Sequence, residues 1–192
     1  ENEVGDYRRT FTIPAAWKGR RVVLCCEGVK SFFYLWINGQ YVGYNVGAKM
    51  PSEWDITKYL NDKGDNVIAM EVYRWSSGSY LECQDYWRMS GIEQDVYLYS
   101  TPTQYIADYN TTASVDKQTD GSYNGSFSLT TNIKGTGAAS VNYTLTDDKG
   151  NKVLSEDKTV KPKDADAIVN FTTKNVQNVA AWSAEHPNLY TL

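Results

Sequence analysis

Apolar and polar residues alternate with a period of two along much of the chain, and no window of ten or more residues carries a sustained helical stripe. Residues 7–13 (Tyr-Arg-Arg-Thr-Phe-Thr-Ile) alternate and predict a first strand, with Pro14 to Gly19 as a connection. Residues 21–27 are mostly apolar, as in a strand buried on both faces, and Gly28 closes them. Residues 32–37 and 40–44 flank Asn38-Gly39, the strongest short hairpin signal, because a type I′ turn needs positive φ at both central residues. Asp55 to Leu60 predicts one helical turn capped by Asp55, and Asp62 to Gly64 a tight turn. Residues 66–74 read as a central strand and 92–99 as another. After Thr101-Pro102-Thr103, shorter strands recur at roughly 105–116, 125–133, 139–147, 152–160 and 166–173. Turn signals at Asp120-Gly121, Gly135 to Gly137 and Lys149-Gly150 separate them, the spacing of a small antiparallel sandwich of immunoglobulin type. The expectation is an all-β chain of two sandwich domains, 1–101 and 102–192.

Composition sharpens that division. Five of the six tryptophans and every arginine precede Pro102, and the remainder is rich in Thr, Asn, Asp, Lys and Ala. Net charge is −4 with scattered basic residues, which argues against a nucleic-acid partner. No apolar run approaches the roughly 18 residues of a membrane-spanning helix. Cys25 and Cys26 are adjacent in a strand, so their side chains point to opposite faces, and Cys83 lies elsewhere. With no Cys-x-x-Cys pair and no Cys/His cluster, a zinc site is not expected. Asn110, Asn124, Asn142 and Asn170 open N-x-Ser/Thr triplets, which an Asn/Thr-rich segment produces by composition.

One stretch breaks the pattern. Arg74 to Gly91 is too long for a hairpin turn, has no clean period, and mixes aromatics (Trp75, Tyr80, Tyr86, Trp87) with charges (Arg74, Glu82, Asp85, Arg88). Long ordered loops of this kind carry function or lock domains together. Rings beside carboxylates suit a sugar, covering an apolar pyranose face while the acid accepts hydroxyl hydrogen bonds. The plainer alternative is that the two acids and two arginines pair with one another under the rings. Glu82 and Asp85 meet the roughly 5–9.5 Å carboxyl spacing of glycosidic chemistry on paper, as do many unrelated pairs. The single histidine, His186, lies in a Glu-His-Pro-Asn turn near the end of the chain, where a Ser-His-Asp site is not expected, and Gly135-Thr-Gly137 is a turn rather than a phosphate loop. No catalytic residue is assigned.

Three segments carry a resemblance. Val29-Lys-Ser-Phe-Phe-Tyr-Leu-Trp-Ile-Asn-Gly-Gln-Tyr-Val-Gly-Tyr44, Pro51-Ser-Glu-Trp-Asp55 and Arg74-Trp-Ser-Ser-Gly-Ser-Tyr-Leu-Glu-Cys-Gln-Asp-Tyr-Trp-Arg-Met-Ser-Gly-Ile92 closely resemble the N-terminal region of the large β-galactosidases of glycoside hydrolase family 2. Trp182-Ser-Ala-Glu-His-Pro-Asn-Leu-Tyr190 is similar to a segment late in that family's first immunoglobulin-like domain. The resemblance implies a jelly-roll sugar-binding domain, then an immunoglobulin-like domain, then a TIM barrel holding both catalytic glutamates. On this reading the chain is cut at both ends, lacks the barrel and is inactive alone.

It also implies site residues. Asp85 stands at the family's aspartate that contacts the galactose 6-hydroxyl and helps hold a sodium ion, whose other ligands come from the barrel. Lys30 stands where the family has a sugar-contacting asparagine; a lysine donates but cannot accept, so the contact would change its nature. Magnesium is a second cation the family allows in the whole enzyme. The implied partners are β-galactosides, the chain's own barrel domain and further copies in a homo-oligomer, with no nucleic acid and no membrane. The alternatives are a self-sufficient lectin-like module, the front of a β-glucuronidase or β-mannosidase of the same family, or a domain lock. Unpaired cysteines fit a bacterial cytoplasm or periplasm equally.

Overall fold

The computed structural model describes every residue except Asp62, Cys83, Gln84, Tyr86 and Asp164. The chain divides into two compact units, Glu1–Pro102 and Thr103–Leu192, and both are built almost entirely of antiparallel strands. No described helix is long and apolar enough to cross a membrane.

The first unit is a sandwich. One sheet has strand order β1 (Val4–Phe11), β7 (Asn66–Tyr73), β4 (Phe32–Ile37), β5 (Gln40–Val46); the other has β6 (Ser52–Asp55), β2 (Arg21–Cys26), β9 (Val96–Thr101). A two-stranded piece pairs β3 (Val29–Lys30) with β8 (Gly91–Ile92). Alternation in β4 sends Phe33, Leu35 and Ile37 inward, where they meet Met70 and Val72 of β7 and Val22, Leu24 and Cys26 of β2. The continuous apolar run of β2 has its reason here, since Val23 and Cys25 on the opposite face are buried as well. Burial, reinforced by the adjacent Cys25, pushes the Cys26 thiol up to about 12, so it behaves as a small apolar residue.

The Asn38-Gly39 turn forms as expected, with φ of 52° and 76°. Its asparagine does more than turn the chain. Asn38 Nδ2 donates to the Tyr59 carbonyl and to Asn66 Oδ1, both at 2.8 Å, and Asn38 Oδ1 accepts from the Val67 amide at 2.8 Å. Asn66 is 0% exposed and also accepts from the Asn61 amide at 2.8 Å. The turn is thus tied into a buried polar network at the start of β7.

Several boundaries differ from the periodicity. β1 begins at Val4 rather than Tyr7, because residues 4–6 pair with Glu71 to Tyr73. Ser52–Asp55, expected to lead into a helical turn, is a strand against β2. A 3-10 turn follows at Thr57–Tyr59, with Ile56 at the cap position; another, at Ala15–Trp17, lies in the connection between β1 and β2. Asp55 still serves the turn at Thr57: Oδ1 accepts from the Thr57 amide (3.1 Å) and hydroxyl (2.6 Å). Burial raises the Asp55 carboxyl, but the Thr57 bonds and then Arg21 outweigh that and hold it below the usual range. The strand expected at 92–99 divides into β8 and β9, which pair with different partners.

The second unit pairs β10 (Tyr105–Lys117), β11 (Tyr123–Lys134) and β14 (Asp166–Val176) in one sheet and β12 (Ala139–Thr146) with β13 (Lys152–Val160) in the other. Phe127, Leu129 and Ile133 of β11, Val169 and Phe171 of β14, and Val141 and Tyr143 of β12 form its core. The Tyr143 and Phe171 rings meet edge to face, 4.9 Å between centroids. His186 closes a local turn near the C-terminal end, its carbonyl accepting from the Ser183 amide at 2.9 Å.

Candidate sugar-facing loop

The long segment after β7 is ordered by contacts far away in sequence. Its first residue, Arg74, donates its amide to the Glu3 carbonyl (3.0 Å) and pairs its guanidinium with the Glu3 carboxylate. Asn2 clasps Trp75 twice, Nδ2 to the Trp75 carbonyl and Oδ1 from its amide, both at 2.9 Å. A compact turn follows. The Ser76 amide donates to Ser79 Oγ (2.9 Å), and the Leu81 and Glu82 amides both reach the Gly78 carbonyl at 3.0 Å. Glu82 then turns inward, where its carboxylate accepts the Ala48 amide at 3.1 Å.

The four charged residues therefore do not pair with one another. Arg74 serves Glu3, Glu82 serves a backbone amide, and Arg88 lies over the Trp75 ring at 5.9 Å, with Arg74 at 5.3 Å. Among the described residues, Asp85 is exposed and has no hydrogen-bond or ion-pair partner. Tyr80 and Trp87 stand out from the surface, 82% and 84% exposed, rather than lining a cleft. The first unit's cleft of about 870 Å³ lies elsewhere, between β1 and β9, with Phe11, Ile68, Met70 and Leu98 in its walls. Tyr86 and Cys83, both singled out in the sequence, are outside the described residues.

Lys30 lies on the neighbouring strand β3, opposite Gly91 of β8. It is 4% exposed, and its ammonium donates to the Trp87 carbonyl at 3.2 Å. The structure thus brings Lys30 to the same loop as Asp85 through the main chain of Trp87. Gly91 has φ of +116°, and a Cβ there would lie 2.9 Å from the Tyr7 hydroxyl, so both backbone and space call for glycine.

Among the described residues no group of three or more His, Cys, Asp or Glu is placed to hold a metal ion. The exposed Asp85 carboxylate is a hard oxygen donor of the type that suits an alkali or alkaline-earth cation, and it supplies one ligand only. The residues that hold the loop, Asn2, Glu3, Ser31 and Ala48, were not apparent from the sequence; their signals are long-range partnerships with no local pattern.

Comparison with known proteins follows the same division. The profile described as "Glycosyl hydrolases family 2, sugar binding domain" matches residues 1–102, and that described as "Glycosyl hydrolases family 2" matches 104–192. A β-galactosidase of Priestia megaterium is 42% identical over the whole chain, which covers 19% of that protein. The β-galactosidase large subunit of Lactobacillus acidophilus is 32% identical, again over the whole chain and 29% of the relative. The chain thus spans about a fifth to under a third of these relatives. Among solved structures, a Bacteroides uniformis β-glucuronidase superposes with a TM-score of 0.84 over 99% of the chain and 24% of its own, at 21% identity. A putative β-galactosidase from Bacteroides fragilis gives 0.81 over 99% of the chain and 30% of its own, also at 21%. At that identity the superpositions speak for the fold.

Proposed function

The chain belongs to glycosyl hydrolase family 2, and from that premise we propose that it is the non-catalytic front of a β-galactosidase, with Asp85 completing the galactose subsite. The observation that carries this reading is the contrast within one loop. Glu82 and Arg74 are committed to holding the main chain, while the Asp85 carboxylate is exposed and uncommitted among the described residues. A carboxylate there accepts from a sugar hydroxyl and serves as one hard ligand of a sodium ion, whose remaining ligands come from outside these residues. The family's catalytic glutamates belong to a barrel beyond these residues, so this chain orients substrate and supports the barrel rather than breaking the bond. Lys30 reaches the same loop, its ammonium donating to the Trp87 carbonyl.

The β-galactosidases at 32–42% identity favour galactoside over glucuronide as the substrate class; the glucuronidase likeness is one of fold. Asp85→Ala in the full-length enzyme tests the assignment. Loss of one hydrogen bond to a charged group predicts a kcat/KM for β-galactosides lower by roughly 10–150-fold, with weaker sodium activation and little change in melting temperature. Unchanged kinetics with a lower melting temperature would replace the subsite with a domain lock.

A further inference from the structure

Three consecutive residues outside the loop grip it at three places. Val29 and Lys30 pair with Ile92 and Gly91, fixing the end of the loop. Ser31 fixes its beginning, where the Ser31 amide (3.1 Å) and hydroxyl (3.3 Å) both donate to the carbonyl of Tyr73, the last residue before the loop. Between these stems, the Lys30 ammonium reaches into the loop, to the Trp87 carbonyl. All three residues are buried.

We propose that Val29-Lys30-Ser31 is a clasp on the long loop, in which Lys30 is a positioning residue whose ammonium sets where the Asp85 carboxylate stands. The chemistry of the side chain fits this task. A buried ammonium is costly unless its protons find acceptors, and among the described residues no carboxylate lies within ion-pairing distance of Lys30. The Trp87 carbonyl is the acceptor that justifies the charge, so displacing the loop exposes the lysine's cost. A main-chain carbonyl also tolerates any side chain at its own position, which lets the Trp87 ring point outward while its backbone is held. The flexible four-carbon stem gives the reach that a shorter asparagine or serine lacks. Lys30 acts on sugar through the loop, not by touching it.

The functional half of this inference rests on Asp85 being a sugar and sodium ligand; the clasp itself does not. The test compares the wild-type chain with Lys30→Met, which keeps the stem and removes the charge, and Lys30→Arg, which keeps charge and donors. Amide hydrogen exchange at Trp87 to Ser90 is expected to rise by about tenfold or more in K30M, with β4 and β7 amides unchanged and K30R close to wild type. In the full-length enzyme, K30M is expected to raise KM and the sodium needed for activation while changing kcat less, again with rescue by arginine. Loop exchange in K30M equal to wild type overturns the proposal.

If K30M does not fold, reductive methylation of the wild-type chain decides. Lys30 is expected to be protected while the exposed Lys18 and Lys63 react, and labelling of Lys30 at their rate overturns the clasp. A loosened loop in K30M combined with unaltered D85A kinetics would sink the Asp85 reading and leave the clasp standing. Impaired D85A with an unaltered K30M would do the reverse.

Discussion

The first unit contains two connections of opposite kind. The β4–β5 hairpin turns in two residues whose own conformations make the turn: Asn38 and Gly39 both adopt positive φ. The loop from Arg74 to Ser90 has no such local rule. It is held by Glu3, Asn2, Ala48 and Lys30, partners 34 to 73 residues away along the chain. The hairpin's turn is set by its own two residues, and the fold then uses its half-buried asparagine to anchor the buried Asn66. Apart from the short hydrogen-bonded turn at Ser76 to Glu82, the loop takes its shape from the sandwich around it. That difference suits the role proposed for the loop, since a segment that presents Asp85 outward to a ligand must be fixed by its stems and underside.

The largest effect is expected at the hairpin. Asn38→Ala removes three hydrogen bonds, leaves the fully buried Asn66 short of a partner, and places alanine at φ of 52°. A loss of about 3 kcal/mol in the unfolding free energy of the first unit is expected by urea denaturation, with Asn38→Gly intermediate because it keeps the backbone conformation but not the network. A loss below about 1 kcal/mol would mean that water replaces the asparagine.

Glu82→Ala is expected to act on the loop alone. It strands the buried Ala48 amide at a cost of about 1.5 kcal/mol, read as faster exchange near residues 47–50 and 78–82 while the hairpin amides stay protected. Uniform loosening of both regions would erase the distinction drawn between them. The smallest effect belongs to the Arg74–Glu3 ion pair, half exposed on one side and largely exposed on the other. A double-mutant cycle with Arg74→Ala and Glu3→Ala is expected to give a coupling of about 0.5 kcal/mol that fades in salt. A coupling several times larger would make the ion pair, rather than the backbone contacts of Asn2 and Glu3, the anchor of the loop's start.

What sequence alone determined here was local. Alternation in residues 32–37, the unbroken apolar run of 22–26 and the Asn-Gly turn each state a backbone preference within a few residues, so the all-β class and most strands were legible. The resemblance of residues 29–44, 74–92 and 182–190 supplied the family, and singled out Asp85 and Lys30. Tertiary structure decided what those positions touch. No pattern around Lys30 says that its ammonium ends on the Trp87 carbonyl, or around Glu82 that it caps Ala48 rather than pairing with Arg88. The two-residue strands β3 and β8 are too short to show a period at all. Such partnerships exist only once distant segments are brought within hydrogen-bond reach, and a hydrogen bond between residues 57 apart leaves no trace in the spacing of either one's neighbours.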